Sequence, residues 1–146
     1  MGGSDWIGTI EKLIETCKDG ENGYREAAEH VRNPVLKQFL EEQSATRGRF
    51  AQELKDELLR ISDAHSEGST AGAVHRTLIG LQALIGGSDR SLMNSVRQGE
   101  QSAMQAYDAA LAAALPKQLE NIVRRQAASI REACEKAMSW KEDQVA

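Results

Sequence analysis

Apolar residues recur every three or four positions along most of this chain, which is the spacing of one helix face. The pattern predicts an all-α protein with four long helices and one short helix. The long helices are expected at residues 5–31, 35–62, 89–115 and 117–140, and the short one at 70–85. The chain has only 2 prolines, Pro34 and Pro116, and both fall between predicted helices, where each marks a tight turn.

The lengths of the connections predict how the helices are arranged. Within each half of the chain the two long helices are joined by a few residues, so each pair should form an antiparallel hairpin. The hairpins are joined by a much longer segment that contains the short helix at 70–85, and Ser88 or Asp89 should cap the helix that follows it. A four-helix bundle with one long crossover needs such a connection, whereas an up-down bundle does not.

Polar residues interrupt the apolar stripes at equivalent places in the two hairpins. A shift of 83 residues aligns Tyr24 with Tyr107, Gln43 with Gln126, Thr46 with Ser129, and Cys17 with Glu100. Chance similarity between two amphipathic hairpins is the alternative explanation. The polar matches count for more than the apolar ones, because any two amphipathic helices share apolar positions. We therefore expect a layer of polar side chains in the middle of the bundle.

Composition and charge exclude several functional classes. A net charge of -4 and a pI near 5.4 leave no general basic surface for nucleic acid. No stretch approaches the roughly 20 apolar residues of a membrane span, and the start of the chain lacks the pattern of a signal peptide. The 2 cysteines, Cys17 and Cys134, have no metal-binding or redox spacing, so a reduced, cytoplasmic setting is expected.

The layout of two helical hairpins, a long crossover and inward-facing polar residues resembles the ferritin-like superfamily. Within it, the chain is similar to an uncharacterised bacterial family of ferritin-like four-helix-bundle domains. The residues that carry this closer resemblance are Asp19-Gly20 with Gly23-Tyr24-Arg25-Glu26-Ala27-Ala28-Glu29, and Gly99-Glu100 with Tyr107. The resemblance covers nearly the whole chain and implies a ferritin-like bundle without an assigned activity.

The resemblance also implies a place for a di-metal centre. Such a centre uses one Glu on each of two helices and a Glu-x-x-His on each of the other two, because carboxylates suit the ions and this spacing shares one helix face. In the family pattern the single Glu often precedes a Tyr by seven residues, as Glu100 precedes Tyr107. The other positions hold Cys17, Gln43, Thr46, Gln126 and Ser129. These neutral groups cannot offset two divalent ions, so we expect a degenerate site and no metal cofactor.

Two fates remain open for Glu100. It could join Glu21, one turn from Cys17, in a relocated site for iron or another divalent metal. Otherwise a buried Glu100 needs a partner or must become protonated. The candidate partners are Arg47, Gln43, Gln126 and a tyrosine hydroxyl. We favour this metal-free polar layer, which would fix the register of the helices.

The tyrosines and cysteines of this layer could also have chemical roles. Tyr24 and Tyr107 could be redox-active, but we favour core aromatics whose hydroxyls bond to Gln43 and Gln126. Cys17 and Cys134 could be redox sensors, and we favour small buried hydrophobic residues instead.

Three functions from different classes fit these observations. The first, which we favour, is a non-catalytic bundle that has lost a metal centre and acts as an interaction or stress-associated protein. The second is a metal carboxylate protein that binds or oxidises iron. The third is a small-ligand binder that uses the bundle interior near Gln43 and Gln126. The helix at 70–85 covers its own bundle or forms a homodimer contact, for which an exposed helix face would also serve.

Overall fold

The computed structural model describes residues 5–62 and 88–140, and these residues form four α-helices. They are α1, Asp5–His30; α2, Pro34–Ser62; α3, Asp89–Ala112; and α4, Lys117–Ser139. Helix α1 packs on α2 and α3 packs on α4, while contacts of α1 with α3 and of α2 with α4 join the hairpins. The all-α prediction with two hairpins is confirmed for this part of the chain. The helix predicted at 70–85, and any dimer contact through it, lies outside the described residues.

The apolar core is divided into two clusters along the bundle axis. One cluster, which includes Leu13, Leu54 and Ile130, takes the first half of α1 and the second half of α2. The other, which includes Leu40 and Met93, takes the opposite halves of the same helices. Buried polar side chains lie where the two clusters meet, so the predicted polar layer is present near the middle of the bundle.

The inner face of α2 differs from the predicted one by one residue in the middle of the helix. The prediction turned Gln43, Thr46 and Phe50 inward, but these residues are half-buried and the next residues, Ser44, Arg47 and Ala51, are buried instead. Contact with α1 explains the rotation. The Ser44 hydroxyl donates to the backbone oxygen of Glu21 at 2.8 Å, and a Cβ on Gly48 would lie 2.6 Å from a Glu21 carboxylate oxygen. Small residues on α2 therefore let it approach α1 closely.

Helix α3 ends at Ala112, three residues before the predicted end at Leu115. Ala113 is already extended, and its N–H donates to the Ala110 oxygen at 3.1 Å. The ring of Pro116 disfavours helical geometry in the residue before it, so the chain leaves the helix in advance.

Two neighbouring residues at the start of α3 have different partners. Ser88 caps its own helix, since its hydroxyl accepts from the N–H of Ser91 at 3.1 Å. The carboxylate of Asp89 instead accepts from the backbone N–H groups of Arg32 and Asn33, at 2.9 and 3.0 Å. The turn between α1 and α2 is thus held by the first residue of the second hairpin.

We predict that Asp89→Ala lowers the free energy of unfolding by about 1–2 kcal/mol, because two backbone donors lose a charged acceptor. Urea denaturation followed by circular dichroism measures the change. The control is Asp108→Ala, which removes an exposed carboxylate 3.9 Å from Arg131 and should cost less than about 0.5 kcal/mol. Equal losses in the two variants would contradict a special role for Asp89.

Candidate functional site

A buried ion pair joins the two hairpins in the middle of the bundle. Arg47 of α2 and Glu100 of α3 are each only 2 % exposed to solvent. One guanidinium nitrogen of Arg47, Nη2, donates to both carboxylate oxygens of Glu100, at 2.8 Å each. Neither charge could be held away from water alone, so each side chain depends on the other. The prediction that Arg47 is among the partners of Glu100 is confirmed.

Residues of α1 shape the space around the guanidinium. A Cβ on Gly20 would lie 3.3 Å from Nη1 of Arg47, so the missing side chain makes room for the long arginine. The Tyr24 ring also packs against the guanidinium, with its centroid 5.1 Å from the guanidinium carbon. A cation over a buried aromatic face is a favourable contact. Helix α1 thus holds Arg47 in the position from which it reaches Glu100.

A second polar network, without a buried charge, lies in the other half of the layer. The Cys17 sulfur is 3.0 Å from the Tyr107 hydroxyl, which donates to Gln126 Oε1 at 2.7 Å. Because the hydroxyl has a single proton, the Cys17 thiol must donate to the Tyr107 oxygen. The predicted bond between Tyr107 and Gln126 is confirmed.

The same network continues to the surface of the bundle. Gln126 Nε2 donates to Glu53 Oε1 at 2.9 Å, and Glu53 also pairs with Arg125. Partial burial raises the pKa of Glu53, but the hydrogen bonds from Arg125 and Gln126 outweigh it and lower the pKa overall. The side-chain amide of Gln126 therefore links the buried hydroxyl to a surface carboxylate.

The protonation states of the layer follow from burial. Burial raises the pKa of the Cys17 thiol from 9.0 to about 11, although the Tyr107 hydroxyl and the Arg47 charge oppose the shift. Burial is also the main cause of the raised pKa of Tyr107. At neutral pH these groups are uncharged, which does not fit a reactive thiolate at Cys17. The pKa of Cys134, which is half-buried, is also raised, first by burial and then by the charge of Glu100.

The predicted bond between Tyr24 and Gln43 is wrong. The Tyr24 hydroxyl lies beside Glu100 and Arg47, and burial and the Glu100 charge raise its pKa. The hydroxyl is near enough to both groups for hydrogen bonding to affect its pKa, but among the described residues neither contact has the geometry of a full hydrogen bond. The rotation of α2 explains the difference, because it turns Gln43 to a half-buried position and brings Arg47 against the tyrosine ring.

The two Glu-x-x-His slots of the predicted degenerate site are not equivalent in the structure. On α4, Gln126 is fully buried and Ser129 half-buried, while on α2 both Gln43 and Thr46 are half-buried. The contact between Glu53 and the buried layer was not predicted from the sequence, because it joins two residues 73 positions apart in the chain. Periodicity within one helix has no signal for such a contact.

Glu21 and Glu100 have separate cationic partners. The Glu21 carboxylate lies against Gly48, with Lys18 at 4.0 Å and Arg25 at 3.7 Å from its oxygens. Within residues 5–62 and 88–140, no three His, Cys, Asp or Glu side chains come together in a way that could hold a metal ion.

Residues 5–113 match the sequence model of a family described as a domain of unknown function, DUF2383. The chain belongs to this family. The matched stretch contains α1, α2 and α3, and with them both members of the ion pair of this DUF2383 chain. No curated protein matches the sequence.

We predict that Arg47→Met in this DUF2383 chain lowers the free energy of unfolding by about 3–5 kcal/mol, because Glu100 is left buried without its partner. The double variant Arg47→Met/Glu100→Met should recover most of that loss, since no uncompensated charge remains. Urea denaturation of the wild type, both single variants and the double variant gives the coupling energy. Additive losses would contradict an interdependent pair.

A second prediction concerns alkaline pH. Folding raises the pKa of the Cys17 thiol from 9.0 to about 11, so the folded state favours the protonated thiol. This stabilises the folded protein below pH 9.0, and the contribution is lost as the pH rises toward about 11. Between pH 8 and pH 10, the free energy of unfolding of the wild type should fall by about 1.4 kcal/mol more than that of Cys17→Ser, because serine at position 17 does not titrate in this range. Urea denaturation across this pH range tests it. The control, Cys134→Ser, removes a less buried thiol and should change the slope less, and equal slopes for wild type and Cys17→Ser would refute the assignment.

Proposed function

We propose that this chain is a non-catalytic ferritin-like bundle in which an ion pair occupies the place of a di-metal centre. The observation that carries the proposal is the contact of Arg47 Nη2 with both oxygens of Glu100, at 2.8 Å. Glu100 is the one carboxylate at the positions where the resemblance places metal ligands. The guanidinium supplies the positive charge that a metal ion would otherwise bring to it.

Charge balance supports this proposal. A divalent ion bound to Glu100 would have to displace Arg47, whose side chain is 2 % exposed. The displaced guanidinium would then lie buried beside the incoming ion. Its burial without a partner and its repulsion from the ion are both unfavourable in a medium of low dielectric constant. The nearby thiol and amide of Cys17 and Gln126 are neutral and already hydrogen-bonded in the second network. They give a metal ion little compensation.

A bundle without a reaction of its own acts through what it binds. We place the chain among interaction or stress-associated proteins, and a cytoplasmic setting suits its 2 free cysteines, Cys17 and Cys134. None of the described helices is long and apolar enough to cross a membrane.

Metal analysis of the purified protein tests the proposal. We predict less than about 0.1 equivalent of iron, manganese or zinc per chain after expression with added iron and purification without chelators, because Arg47 neutralises the buried carboxylate of Glu100. Anaerobic calorimetric titration with Fe²⁺ should show no binding in the micromolar range.

One or two tightly held ions per chain would overturn the proposal. Glu21→Gln and Glu100→Gln then serve as location tests. Loss of the metal in both variants would establish the relocated carboxylate site, whereas Glu41→Gln, an exposed carboxylate of α2 near Lys37, is the matched control that should leave metal content unchanged.

A further inference from the structure

A groove runs between α1 and α3 and reaches down to the ion pair. Its volume is about 850 Å³, within the range of small-molecule sites. Small residues form much of its two sides, namely Gly20, Gly23 and Ala27 on α1 and Gly99, Ala103 and Ala106 on α3. Among the described residues, nothing lies within 4 Å of a Cβ built on Gly23 or Gly99, so these residues leave the space beside the two glycines open.

Two buried donors at the groove have no hydrogen-bond partner in the described part of the chain. Tyr24 is 5 % exposed and Arg47 is 2 % exposed, and both line the groove. The unpartnered atoms are the Tyr24 hydroxyl and Arg47 Nε. Arginine commonly pairs with a carboxylate through two nitrogens, but here both Glu100 oxygens lie on Nη2, so Nε is not used. An oxygen acceptor that entered the groove would satisfy groups that are costly to bury unpaired.

The charges of Arg47 and Glu100 restrict the kind of ligand that can bind at these two donors. The positive charge of Arg47 is balanced by Glu100, so an anion would be repelled by the carboxylate and a cation by the guanidinium. Arg47 Nε can only donate a hydrogen bond, and the Tyr24 hydroxyl can donate one as well. Charged side chains of both signs also line the groove: Lys12, Asp19, Arg25 and Glu26. The arrangement therefore favours an uncharged molecule with an oxygen acceptor.

We propose that the groove between α1 and α3 binds a neutral small molecule with a carbonyl oxygen and an apolar body. The oxygen accepts from Arg47 Nε and the Tyr24 hydroxyl, and the body lies along the glycines and alanines of the two helices. This adds a binding site to the proposed metal-free bundle, at residues other than the Gln43 and Gln126 suggested by the sequence.

Three probes of one shape and different charge test the ligand class: benzamide, benzoate and benzylammonium. They are titrated into ¹⁵N-labelled full-length protein at pH 7, and the backbone amide shifts of Gly20, Gly23 and Gly99 are followed. A compound of benzamide's size should bind with a Kd of about 10 mM. Benzoate and benzylammonium should bind at least about fivefold more weakly, because each meets a like charge.

Variants locate the site without disturbing the fold. Tyr24→Phe removes a hydroxyl that makes no full hydrogen bond among the described residues, so it should keep the thermal stability and weaken benzamide binding about fivefold. Gly99→Leu fills open space in the groove and should abolish binding. The matched control is Gly8→Leu, because Gly8 is an exposed helical glycine of α1 that does not line the groove, and no described residue lies within 4 Å of a Cβ added there.

Three results would overturn the proposal. No saturable shifts with any probe would remove the binding site. Tighter binding of benzoate than of benzamide would replace the neutral ligand with an anion. Benzamide shifts that persist in both Gly99→Leu and Tyr24→Phe would place the binding elsewhere. Each is separate from the metal content, so the failure of this proposal is distinguishable from the failure of the metal-free bundle.

Discussion

The rest of this bundle depends on a single requirement, that two opposite charges removed from water stay in contact. Arg47 and Glu100 lie on α2 and α3, and these helices are joined mainly through their neighbours α1 and α4. A slide of one helical turn, about 5.4 Å, would separate the charges. Apolar clusters on either side tolerate alternative packing of similar volume much better. We therefore infer that the ion pair fixes the register of α2 and α3 more strictly than the apolar clusters do.

The two hairpins share a pattern but divide the polar layer unequally. The position of Arg47 in the first hairpin corresponds to Ile130 in the second, and both residues are buried. Glu100 likewise corresponds to Cys17, so one half of the layer is charged and the other is a chain of neutral hydrogen bonds. The charged and the neutral half of the layer are therefore not interchangeable. A bundle in which the two hairpins exchanged places in the layer would leave a buried charge beside an aliphatic residue, which is unfavourable.

Periodicity and the prolines were sufficient to predict the four long helices and the two hairpins, since both signals are local. The burial of Glu100 followed from its place in an apolar stripe. The predicted inner face of α2 differs from the observed one by one residue. Positions 43 and 44 follow one another on the helix, and either can border the same contact face. The close approach of α1, through Ser44 and Gly48, decides between them. The contacts of Asp89 and Glu53 were not found because they join distant segments, and a helix pattern describes only its own face.

The hydrogen bonds from Arg32 and Asn33 to the Asp89 carboxylate have a consequence for how the two hairpins come together during folding. The hydrogen-bonded residues are 57 and 56 positions apart, so this contact closes a long loop, at an entropic cost that grows with its length. Its two donors are presented together only when the first hairpin has already turned at Asn33. Docking of the second hairpin is thus coupled to formation of the turn in the first, and a contact this distant in sequence raises the mean contact separation, which slows folding in two-state proteins.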